Sequence, residues 1–137
     1  MSVFRKYILT ILVLLFAWHS SAQEIGKWNV YPSYWNATQN MVAGNMVYSL
    51  CGNNLLAYDT EDTSIRTFNC LEHLNGVHIA CMNYNKQTHT LVLVYTDGGI
   101  DLLNDDGSIH YLPDLKEKAI ANKDVNSVHT EGHMAYL

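Results

Sequence analysis

Thr90-Leu91-Val92-Leu93-Val94-Tyr95-Thr96-Asp97-Gly98-Gly99-Ile100-Asp101-Leu102-Leu103-Asn104-Asp105-Asp106-Gly107-Ser108-Ile109-His110-Tyr111-Leu112 holds three short apolar runs separated by two turns rich in glycine and aspartate. None of the runs keeps a helical period, and short runs bounded by Gly, Asn and Asp read as strands joined by hairpins. Ile79 to Tyr84 supplies a strand before them, with Asn85 to His89 as the turn between. Residues 79–112 are thus read as four strands in chain order.

The same order stands earlier in the chain. Met46 to Leu50 is a strand between the turns Gly44-Asn45 and Gly52-Asn53-Asn54, Leu55 to Tyr58 is its hairpin partner, and Ile65 to Phe68 follows the polar turn Asp59–Thr63. Leu56 and Ile100 stand 44 apart, as do Ile65 and Ile109, and Gly44-Asn45-Met46-Val47-Tyr48 reappears 88 residues on as Gly132-His133-Met134-Ala135-Tyr136. Short strands repeating at this period are the signature of propeller blades, because one twisted sheet buries both faces only by stacking on neighbours around an axis. A sandwich would alternate in the same way but has no need of an internal copy at fixed spacing. The predicted fold is all-β, a partial β-propeller of about two and a half four-stranded blades preceded by a signal peptide.

That signal peptide is read from Arg5-Lys6, an apolar stretch from Tyr7 to Trp18, and small residues at Ser20 and Ala22. They predict cleavage after Ala22 and export, since the apolar run of about 12 residues is shorter than a bilayer requires. The expected domains are a signal peptide at 1–22 and the N-terminal part of a propeller at 23–137. No transmembrane span remains after cleavage, and no cysteine stands at the cut to carry a lipid. About 115 residues make some 2.6 units where closed propellers use four to eight blades, so the expectation is a piece of a longer protein that does not fold stably alone.

Of 137 residues 48% are hydrophobic and 15% charged, with nine tyrosines and three tryptophans, which excludes a disordered or collagen-like chain. Thirteen acidic against eight basic residues argue against a nucleic-acid partner, and loss of Arg5 and Lys6 makes the balance more acidic. Cys51, Cys70 and Cys81 match neither zinc spacing nor Cys-x-x-Cys, and the reading is buried small apolar side chains, with one disulfide as the alternative.

Ile25-Gly26-Lys27-Trp28, Tyr34 through Ala37, and Gly44 through Leu50 resemble the opening of the PorZ family. Ile100-Asp101-Leu102-Leu103, Leu112-Pro113-Asp114-Leu115, and Val125-Asn126-Ser127-Val128 with Ala135-Tyr136-Leu137 are similar to the next blades of that family. Its members are secreted Bacteroidetes proteins with two N-terminal β-propellers and a small C-terminal β domain. They belong to the type IX secretion system, at whose surface attachment complex cargo is cleaved and joined to anionic lipopolysaccharide. The resemblance implies a non-enzymatic scaffolding or lipopolysaccharide-presenting module in the periplasm or on the outer-membrane surface of a Gram-negative bacterium. Its implied partners are other secretion-system or cell-envelope proteins and anionic lipopolysaccharide, with no catalytic residues and no cofactor. Hybrid two-component regulators carry related propellers in their periplasmic sensor regions, so an extracellular ligand-sensing propeller is the alternative. An extended reading frame separates them, because only the sensor continues into a transmembrane helix and a kinase.

The motifs for chemistry fall short. Asp105-Asp106-Gly107 is similar to a calcium loop, but the acidic residues do not alternate and no distal Glu follows, so a hairpin turn is expected. Asp59 and Asp101 are expected at the ends of inner strands, accepting turn amides. His129 and His133 stand four apart, yet Gly132 breaks the helix that would align them on zinc. Ser49 and Ser64 lack a nucleophile elbow, Gly98-Gly99 lacks a phosphate-loop frame, and Asn36-Ala37-Thr38 matches only the common glycosylation pattern. Lys116, Lys118 and Lys123 form the one basic run, on the connection between the second and third units. The candidate binding surface is Trp28, Tyr31, Tyr34 and Trp35, a density of aromatics suited to sugar rings or a protein hot spot. The competing assignment has them cover the first blade or close the ring.

Overall fold

The computed structural model describes residues 33–120 and 122–137. The signal peptide read at 1–22, and Trp28 and Tyr31, lie outside the described residues. The described part has strands β1 (Ala37–Ala43), β2 (Met46–Cys51), β3 (Asn54–Asp59), β4 (Ile65–Phe68), β5 (Ile79–Asn85), β6 (Thr90–Tyr95), β7 (Ile100–Asn104), β8 (Ile109–Leu112), β9 (His129–Glu131) and β10 (Met134–Tyr136). A single helical turn, α1 (Asp114–Glu117), lies between β8 and β9. The strands form three antiparallel sheets in chain order, β1-β2-β3-β4, β5-β6-β7-β8 and β9-β10. This is the predicted all-β, partial-propeller arrangement, and the second strand of each unit begins at Met46, Thr90 and Met134, 44 residues apart.

The first and third units share turn chemistry, while the second passes from β5 to β6 through the four residues Lys86 to His89. Gly44, Gly52 and Gly132 each take φ of 60° in two-residue hairpins whose second residue stays at negative φ. That is the type II′ turn, which matches the strand twist and needs glycine at its first central position. The first strands also share a bulge, between Ala37 and Gln39 in β1 and between Ile79 and Cys81 in β5. β1 is the strand the residue pattern does not reveal, since Ala37-Thr38-Gln39-Asn40 shows no apolar alternation.

Successive sheets stack face to face. Tyr48, Leu50, Leu55, Ala57 and Phe68 of the first sheet meet Ile79, Met82, Leu91, Leu93, Tyr95 and Leu103 of the second in one buried cluster. On the opposite face of the second sheet, Cys81, Val92 and Val94 pack on Val128 ahead of β9. All six residues of β6 are therefore buried, whereas β3 alternates over Asn54 to Ala57, because among the described residues the second sheet is covered on both sides and the first on one. On the uncovered face Val42 and Ile65 are 63% and 61% exposed. Cys51 and Cys81 are buried and Cys70 half-buried, all three free, as expected of small apolar side chains.

The sheets converge along their first strands, with β1 beside β5 and β5 beside β9, so these strands lie nearest the axis. This corrects the expectation for Asp59 and Asp101, which stand in the third strands β3 and β7. The strand order, not the apolar pattern, decides which strands are inner.

An amide bridge ties the first two blades. Gln39 Nε2 donates to the Met82 carbonyl at 2.8 Å and Gln39 Oε1 accepts from the Met82 N–H at 3.1 Å, filling the edge of β5 that β6 leaves open. Thr130 Oγ1 makes the comparable link from β9 to Asn83 Oδ1 at 2.8 Å. Replacing Gln39 with alanine is expected to lower stability by about 1–3 kcal/mol, with two backbone groups left unmet. Chemical denaturation of the complete gene product checks this, and a change below about 0.5 kcal/mol would mean that water replaces the amide freely.

Candidate functional site

Of the four aromatic residues proposed as a binding surface, Tyr34 and Trp35 are described. They stand before β1, separated from it by Asn36, Tyr34 partly buried and Trp35 96% exposed. An indole that open to water carries a large unburied apolar surface with a donor at its edge, the profile of an interface anchor.

The turn carboxylates behave as hairpin residues. Asp59, Asp62, Asp97 and Asp106 each accept, through Oδ1, the backbone N–H two residues on, at 2.8–3.0 Å. Gly107 takes φ of 87°, so Asp105-Asp106-Gly107 forms the polar hairpin turn read from the sequence. The bond from Ser64 holds the Asp62 carboxyl below its ordinary range, and Lys116 does the same for Asp97. The Lys116–Asp97 ion pair spans 2.7 Å, and Lys123 donates to the Lys116 carbonyl, so two of the three clustered lysines brace the connection through α1. His129 lies in β9 and His133 in the following turn, and no group of three His, Cys, Asp or Glu gathers among the described residues.

Asp101 is the exception among the carboxylates, fully buried between the first two sheets. It accepts from the Tyr95 hydroxyl at 2.5 Å and from the Asn75 backbone N–H and side-chain amide, both at 2.9 Å. One carboxylate thus fixes the loop linking β4 to β5 against the second blade. A single Asp between isoleucine and leucine gives no sign of the partner Asn75, 26 positions upstream.

A concave site, missed by the sequence reading, lies between the first two blades. It is an open cleft of about 660 Å³ lined by Ala43, Gly44, Asn45, Met46, Asp59 and Arg66 of the first blade and Tyr84, Lys86, His89 and Asp105 of the second. On the second-blade wall, His89 Nδ1 lies 3.2 Å from Asp105 Oδ2, and the Tyr84 hydroxyl donates to Asp105 Oδ1 at 3.3 Å. Burial, then the Asp105 charge, pushes the Tyr84 phenol up. In β2, burial first and then Asp105 push the Tyr48 phenol up, while Arg66 opposes them. Lys86, His89 and Asp105 come from turns, and Arg66 from the outermost strand. Blade stacking alone brings them together.

No curated protein matches the chain. Its structure is similar to that of PorZ from Porphyromonas gingivalis, described as an essential bacterial surface component of the type-IX secretion system of that human oral-microbiomic bacterium. The TM-score is 0.73 at 22% identity, over 80% of this chain and 15% of that one, which establishes a shared fold over a small part of the PorZ length. The family model for the N-terminal β-propeller domain of PorZ, in the type IX secretion system, matches residues 47–137. Those residues run from β2 to the end of the chain, and on that match the chain belongs to the PorZ N-terminal β-propeller family.

Proposed function

We propose that this chain is a non-enzymatic β-propeller module of the type IX secretion machinery that attaches cargo at the cell surface. It is exported by the signal peptide at 1–22, and residues 23–137 build part of the propeller. In this reading it holds secretion-system or cell-envelope proteins, through a surface that includes Tyr34 and Trp35, and contributes to handling anionic lipopolysaccharide. The family match over residues 47–137 carries the proposal.

Deletion of the full-length gene is expected to leave secreted cargo unprocessed and detached from the cell. Cargo that still matures and stays on the surface would overturn the proposal. For the aromatic surface, Trp35→Ala is expected to weaken co-purification of envelope partners with the tagged full-length product about tenfold, the effect of one interface anchor. Stability stays unchanged, because a side chain 96% exposed makes little packing contact to lose. Equal recovery of partners would remove Trp35 from the surface.

A further inference from the structure

We infer that Asn75 is a chemical modification site, where the junction of the first two blades deamidates, and that Asp101 holds the reaction back while the junction is closed. Asn75-Gly76 is the one asparagine in the chain that is followed by glycine. Glycine has no side chain, so its amide nitrogen reaches the carbonyl carbon of a preceding asparagine with the least hindrance. The fold also needs both residues. Gly76 is buried, and a Cβ there would lie 2.4 Å from the Tyr95 ring. Asn75 gives Asp101 two donors, its backbone N–H to Oδ2 and its Nδ2 to Oδ1, both at 2.9 Å. Packing and hydrogen bonding together therefore retain a pair whose asparagine is chemically labile.

In the reaction the Gly76 nitrogen bonds to Asn75 Cγ, closing a succinimide ring, and the Cγ–Nδ2 bond breaks. Ammonia leaves with the proton that Gly76 gives up. Water then adds to one of the two ring carbonyl carbons, and the carbon–nitrogen bond there breaks, leaving aspartate or isoaspartate at position 75. Asn75 is exposed, so water reaches it. The attack itself is restrained, because Asp101 holds the side-chain amide and Gly76 lies against Tyr95. It requires the loop between β4 and β5 to open locally. Once formed, the product does not restore the junction. A carboxylate replaces the donor opposite Asp101 Oδ1, and an attraction becomes a repulsion between like charges. Isoaspartate also adds a methylene to the main chain next to Gly76. The site thus acts as a slow timer that counts openings of the first junction. This inference goes beyond the surface-machinery proposal and does not rest on it.

Peptide mass spectrometry of the full-length gene product, incubated for weeks in mildly alkaline buffer, tests it. The peptide holding Asn75 is expected to gain the mass of an amide-to-acid change and to split into aspartate and isoaspartate forms. Asn45, also exposed but followed by methionine, stays an amide. Asp101→Ala is expected to speed the conversion about tenfold, since loss of charge-assisted bonds favours opening. If that variant does not fold, Asp101→Asn takes its place with a smaller acceleration. Tyr95→Phe removes another bond to the same carboxylate but leaves both Asn75 bonds, and is expected to speed conversion by about twofold at most. The inference is overturned by an Asn75 that stays an amide as fully as Asn45, by equal rates with and without the Asp101 carboxylate, or by a Tyr95→Phe acceleration matching that of the Asp101 variant.

Discussion

Asp101→Ala is expected to destabilise the propeller by roughly 3 kcal/mol, among the largest effects of any polar substitution in the described chain. The carboxylate is fully buried and accepts three bonds, one from Tyr95 and two from Asn75. Truncation leaves the Tyr95 hydroxyl without its partner in the core, and a buried polar group without a bond is costly. Asn75 is exposed and recovers water, so the Tyr95 side carries most of the loss. Asp101→Asn keeps the shape and one acceptor and is expected to lose about half as much. Guanidinium denaturation of the complete gene product measures both, and a change below about 1 kcal/mol for Asp101→Ala would show that the network is dispensable.

The same network sets an alkaline limit. Burial first, and then the bond and charge of Asp101, push the Tyr95 phenol well above its ordinary value of 10.0. Between that value and the raised one, the unfolded chain has released a proton that the folded chain still holds. Stability from this group is thus complete below about pH 10 and falls as pH rises above it. Tyr95→Phe should flatten the alkaline decline while lowering stability at neutral pH.

Gly76→Ala is expected to cost about 3 kcal/mol or more, from overpacking instead of a lost bond. Gly76 is buried in the loop between β4 and β5, and a Cβ there would lie 2.4 Å from two carbons of the Tyr95 ring and 2.6 Å from a third. The ring has no easy retreat, because its hydroxyl is tied to Asp101 at 2.5 Å. The two substitutions are therefore coupled. In a Tyr95→Phe background the untethered ring shifts more readily, and the penalty of Gly76→Ala should shrink, giving a non-additive cycle. Full additivity in thermal unfolding of the four proteins would mean that the hydroxyl does not hold the ring in place.

The contrast between Asp101 and its counterpart shows where the sequence stops being informative. In the second blade Leu93 pairs with Asp101, whereas the residue 44 positions earlier in the first blade is Ala57, which pairs with Tyr48. The repeat that reveals the fold thus predicts an apolar residue where the buried carboxylate sits. Its reason is Asn75, on a loop outside the repeat. β1 was hidden for a related cause: Gln39 points its amide at the next blade, so the strand carries a polar residue where alternation would place an apolar one. The cleft was equally hidden, because Arg66, Lys86 and Asp105 lie in three separate turn or edge segments.

By itself the sequence determined the all-β class, the 44-residue unit, the glycine hairpins and the likeness to the PorZ family. Those features depend on contacts between residues near in the chain: side-chain alternation along a strand and backbone torsions within a turn. Only the tertiary structure decided which strands face the axis, why β6 is buried on both faces, and which charged groups meet between the blades. These depend on how one sheet stacks on the next, an arrangement set by the rotation between blades that no local pattern of residues encodes.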